Sequence, residues 1–117
     1  MNLHSNLKEV FSIEDEITFH PSWMGHLSGL DADKLLRGQK PFTYILREGE
    51  SRSAYYVTFV QSDKTVRHTP FVLTQAQDGW YYENGGAGGP FNEQVTIDEV
   101  IPSIIHCEEG ACTPLTR

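Results

Sequence analysis

"PFTYILREGESRSAYYVTFV", residues 41–60, decides the fold. Two runs rich in β-branched and aromatic residues flank a polar turn containing glycine, the pattern of a β-hairpin. Period-two alternation sends Phe42, Tyr44 and Leu46 to one face of the first strand and Thr43, Ile45 and Arg47 to the other. Arg47 closes a strand that otherwise reads as buried. A guanidinium taken out of water must meet an anion or escape back to solvent, because an unpaired buried charge is costly.

Working outward, "TVRHTPFVL" (65–73) reads as a third strand, and the short connections imply an antiparallel meander. "GWYY" adds a further short strand, and "ENGGAGGP" after it reads as a flexible loop. Upstream, "SGLDADKLLRG" predicts a helix over about 30–37, with Asp31 and Asp33 complementing its N-terminal dipole and Gly38 as its stop. Downstream, Ile97, Val100, Ile101, Ile104 and Ile105 form an apolar stripe at helical spacing, predicting a helix over about 97–106. Thr96 and Glu99 make a capping-box pattern before it, and Pro102 predicts a kink. "LHSNLKEVF" (3–11) predicts a further short helix. The fold class expected is α+β, a central antiparallel sheet flanked by one helix on each face.

A chain of 117 residues with 38% hydrophobic content fits one domain with one core. It contains no apolar run of membrane-spanning length, and its first residues lack the order of a signal peptide, so a cytoplasmic location without membrane insertion is expected. Two cysteines, Cys107 and Cys112, are too few for a disulfide scaffold or a closed zinc site and read as reduced thiols. The net charge of −7 argues against nucleic-acid binding. Its distribution is uneven: residues 34–67 hold seven cations against three acids, a net +4, which leaves −11 elsewhere. Such a gathering suits a local anion site on a repulsive body.

Enzyme signatures are absent. The sequence has no G-x-S-x-G and no H-E-x-x-H, and "GGAGGP" lacks the Lys-Ser/Thr of a phosphate-binding P-loop. The five histidines show no metal-ligand spacing. No catalysis, metal or cofactor is expected. Around Arg47, the turn "EGESRS" offers backbone N–H groups and the hydroxyls of Ser51 and Ser53 to an oxyanion, Arg52 adds a cation, and a third strand brings Arg67 and His68. The bland alternative is a strand-end arginine paired with Glu48 or Glu50.

The order of motifs resembles the Src homology 2 domain, the phosphotyrosine-binding family. "WMGHLSGLDADKLL" is similar to the family's opening Trp, Gly and first helix; "FTYILREGES" to its Phe-Leu-Val-Arg-Glu-Ser strand. "SAYYVTFV" and "TVRHTPF" match the next two strands, the second bearing a His, and "TIDEVIPSIIHCEEGACTPL" the second helix and closing Gly-x-Cys-x-x-Leu. The resemblance divides the chain into an N-terminal extension, 1–21, and a domain, 22–117. It implies a monomeric, non-catalytic module for tyrosine-phosphorylated proteins or peptides. Arg47 would pair bidentately with the phosphate, Gly49, Glu50, Ser51, Arg52 and Ser53 would wrap it, and His68 would flank the tyrosine ring.

Departures from the family are equally specific. Gly29 stands where many members carry a second arginine, Gly49 where a Ser usually follows Arg-Glu, and Pro70 where Lys is frequent. With those donors missing, the pocket would rest on Arg47 and Arg52, with Tyr56 and Pro70 covering the ring. The stretch after Tyr82 is about six residues longer than the family pattern. Such drift is similar to versions carried by effector proteins of intracellular bacterial pathogens, which act in the host cytosol. The competing reading is an interaction domain with a degenerate pocket that does not need phosphate.

Overall fold

The computed structural model describes residues 14–76, 79–84, 87–91, 96–108 and 110–116. The helix expected over 3–11 lies outside them. The hairpin forms as the alternation requires: β1 (Thr43–Glu48) pairs antiparallel with β2 (Ala54–Val60), Arg47 opposite Tyr56, and β2 with β3 (Val66–Ala76), Thr58 opposite His68. The meander continues into β4 (Gly79–Asn84) and β5 (Ala87–Phe91), and a short β6 (Thr113–Pro114) runs parallel to β1. The result is an α+β fold around one six-stranded sheet in the order β5-β4-β3-β2-β1-β6.

β5 corrects the expected loop. Residues 87–91 pair with β4 despite three poor strand formers, because their glycines permit close approach: a Cβ at Gly88 would stand 2.1 Å from the Tyr82 carbonyl oxygen, and one at Gly89 3.4 Å from the Tyr82 hydroxyl.

Helix α1 (Gly29–Leu36) starts at Ser28, whose hydroxyl accepts from the Asp31 N–H, and the chain leaves it through Gly38 at φ +89°. Asp33 pairs with Arg37 one turn along. Helix α2 (Ile97–Ile105) runs as one helix across Pro102 and ends at His106 in the left-handed region. The capping box does not form: Thr96 makes no side-chain cap, and the Glu16 carboxylate accepts from the Ile97 N–H at 3.1 Å instead. Beyond α2 the chain folds back until the Cα atoms of Cys107 and Cys112 stand 6.8 Å apart, and the two sulfurs are joined in a disulfide rather than remaining thiols.

The core is divided by the sheet residues. Tyr44, Leu46, Val57, Phe59, Phe71 and Leu73 pack with Ile97, Val100, Ile101, Ile104 and Ile105 of α2. Ile45 and Val60 pack with Ala32 and Leu36 of α1. A helical turn over 14–18 adds Ile17, fully buried, to the larger cluster, so part of the segment before residue 22 is packed into the domain. Truncating one of these large side chains, Phe71 for example, costs about 3–5 kcal/mol in a site that cannot collapse. No helix among the described residues is long and apolar enough to cross a membrane.

Candidate functional site

Arg47 is only 7% exposed, yet no Asp or Glu among the described residues lies within ion-pair distance of it. Alternation along β1 turns its side chain to the face of Ile45, where it crosses β2 toward β3. Its Nε donates to Thr58 Oγ1 at 3.0 Å, Nη1 to the Leu27 carbonyl at 3.2 Å, and Nη2 to His68 Nδ1 at 3.1 Å. The guanidinium carbon lies 4.2 Å from the centre of the Tyr56 ring, a cation–π contact. A guanidinium has five N–H groups, so among the described residues one on Nη1 and one on Nη2 remain without a partner, and such groups suit the oxygens of a carboxylate or phosphate.

Burial shifts both titratable groups of this cluster. Burial lowers the Arg47 pKa from its ordinary value, partly offset by Tyr56 and the Glu50 carboxylate. Burial and then the Arg47 charge lower that of His68, against a small opposing pull from Asp33. Gly29, at the first position of α1, borders the same space. A Cβ there would stand 3.6 Å from Arg47 Nη2 and 3.8 Å from His68 Cε1, in ordinary contact with both, so glycine leaves the volume beside them open.

The residues expected from sequence are thus partly assembled. Arg47, Tyr56 and His68 come together, and Pro70 sits opposite Tyr56 on β3, exposed. Tyr56, expected to cover the ligand's ring, also supports the guanidinium and donates to Glu50 at 3.5 Å. The turn is tighter than expected. The Gly49 N–H is spent on the Ala54 carbonyl at 2.9 Å, and a Cβ at Gly49 would stand 2.5 Å from the Ala54 backbone, so the serine of the resembled family does not fit there. Ser53 donates its hydroxyl to Glu14, while Glu50, Ser51 and Arg52 are exposed at the tip and Arg52 makes none of the contacts around Arg47.

Arg67 is the clear correction. It neighbours His68 in sequence and therefore points to the opposite face, opposite Phe59. There it lines a cleft of about 450 Å³ with Phe42, Phe59, Ile104, Ile105 and His106, away from Arg47. Two partners of Arg47 went unforeseen. Thr58 follows from the hairpin register, two residues beyond Tyr56; Leu27 contributes a carbonyl, which no side-chain pattern reveals. Among the described residues no group of His, Cys, Asp and Glu could hold a metal ion.

The class these observations define is an α+β domain carrying a buried arginine that has no ion-pair partner among the described residues. Compared with known proteins, the chain matches no family model and no curated sequence.

Proposed function

We propose that the chain is a non-catalytic module that binds phosphotyrosine in peptides or proteins, a divergent Src homology 2 domain with Arg47 as the phosphate anchor. The observation that carries this reading is a buried guanidinium that, among the described residues, has no carboxylate partner and two unspent N–H groups. Tyr56, Pro70 and His68 give the walls a tyrosine ring needs. Phosphotyrosine suits the depth of the site: a serine phosphate is too short to bring its oxygens to a guanidinium held within the sheet.

The same proposal places the two helices on opposite faces, supported by α1 packing with Ile45 while α2 packs with its strand neighbours Tyr44 and Leu46. A structural arginine is the competing reading, and the three internal hydrogen bonds of Arg47 favour it. It leaves the absence of a counter-ion among the described residues without a cause. Titration with a phosphotyrosine peptide and its unphosphorylated twin decides between them. Binding that requires the phosphate supports the proposal; equal binding of the twins, or none, overturns it.

A further inference from the structure

We propose that His68 is a hydrogen-bond donor to the bound oxyanion, supplying through Nε2–H part of what a second arginine would give at position 29. This rests on the phosphotyrosine reading and assigns His68 more than a wall for the ring. The tautomer follows from its neighbours. Arg47 has only donors, so the Nη2 contact at 3.1 Å requires a lone pair on His68 Nδ1. Thr58 Oγ1 accepts from Arg47 Nε and stands 3.1 Å from the same Nδ1. With Nδ1 an acceptor, the neutral ring carries its proton on Nε2. Protonating Nδ1 as well would set an N–H against the guanidinium, consistent with the lowered His68 pKa.

That nitrogen borders the space beside Gly29. The point where a Cβ of residue 29 would stand lies 3.6 Å from Arg47 Nη2 and 4.0 Å from His68 Nε2. An oxygen entering beside Gly29 therefore comes within reach of both, and it does so because residue 29 has no side chain. The three groups form one relay: Thr58 and Arg47 fix the imidazole, and the imidazole presents its donor next to the unspent guanidinium N–H.

The test is the nitrogen resonance and bound proton of His68 Nε2 in the wild-type domain, followed during titration with inorganic phosphate and, separately, with phenyl phosphate. The inference expects both ligands to move the Nε2–H signal downfield, because the phosphate alone is the acceptor. Movement with phenyl phosphate only, or with neither while other site signals saturate, overturns it and leaves the phosphotyrosine proposal standing. If no site signal responds to either ligand, that proposal falls and this one with it. Two variants check the result against a phosphotyrosine peptide. His68→Gln, which retains an acceptor for Arg47 and a terminal donor, is expected to bind within a few-fold of wild type. His68→Phe, which retains the flat ring alone, is expected to lose about tenfold or more, the scale of one hydrogen bond to a charged group. The reverse order of the two variants overturns the inference.

Discussion

Two polar clusters sit on opposite faces of the sheet, and they differ in where their charge lies. On the α2 side, His20 Nε2 meets the Asp98 carboxylate at 2.7 Å, and the Ser22 N–H donates to His20 Nδ1 at 3.0 Å. Tyr44 reaches both His20 and Asp98 at 3.5 Å, and its own pKa is raised, by burial first and the Asp98 charge second. Nearby, Glu16 caps α2. Only the Ser22 hydroxyl in this group is buried without a hydrogen-bond partner. On the other face, Arg47, Thr58 and His68 are equally well ordered by hydrogen bonds, but the cation has no anion among the described residues. The first cluster bonds its carboxylate within the chain and joins the segment around residue 20 to α2. Under the proposed function, an incoming phosphate supplies the anion that the second cluster lacks among the described residues. The charge of the first cluster, on Asp98, lies exposed to solvent and is bonded by His20, whereas the charge of the second, on Arg47, is buried without a carboxylate partner among the described residues.

The largest effect expected from this contrast is in Arg47→Lys. One ammonium keeps the charge but loses both the fork and the internal anchors, so phosphotyrosine affinity should fall on the order of 100-fold by calorimetry. The reciprocal change belongs to the closed cluster. His20→Ala removes the partner of Asp98 and of the Ser22 N–H and should cost about 1–3 kcal/mol in denaturant unfolding while leaving phosphotyrosine affinity nearly unchanged. A large loss of affinity there would break the distinction between the two faces.

How much of this was legible in the sequence follows from what side-chain patterns encode. The stripe from Ile97 to Ile105 and the alternation through Tyr44, Ile45 and Leu46 marked their elements because each buries one face against a partner. β5 was hidden because Gly88 and Gly89 carry no pattern; what holds them is the proximity of Tyr82, which depends on the folded sheet. The cap of α2 was misread for a similar reason, since Glu16 reaches Ile97 across 81 residues of sequence. Arg47 and His68 were legible as types and positions. Arg67 was drawn in with them by its cationic character, although period two sends it to the other face. The role of Gly29 lies in the space it leaves, which only neighbours at known distances can define.

Smaller effects sharpen the comparison. Glu50 is exposed, accepts from Tyr56 and supports the charged form of Arg47, so it competes weakly with an incoming anion. Glu50→Gln should strengthen phosphotyrosine binding by a few-fold at most, the scale of an exposed charge pair, and the gain should shrink with added salt. Smallest is a pH effect. The folded-state pKa of His68 is lowered, so below its unfolded value of roughly 6.5 the unfolded chain binds more protons than the native one. The stability tied to neutral His68 is thus present above about pH 6.5 and is lost as pH falls from there toward the folded pKa. Melting curves between pH 7 and 5 should fall less steeply in His68→Gln than in wild type; parallel curves would contradict the assignment.

Arg47→Leu tests the central claim most directly, with its thermal stability and its phosphotyrosine affinity measured on the same preparation. If Arg47 is a buried charge held for a ligand's phosphate, the variant should melt at or slightly above the wild-type temperature while binding falls on the order of 100-fold or more. A variant that melts early and binds phosphotyrosine normally would make Arg47 a structural residue and contradict the account.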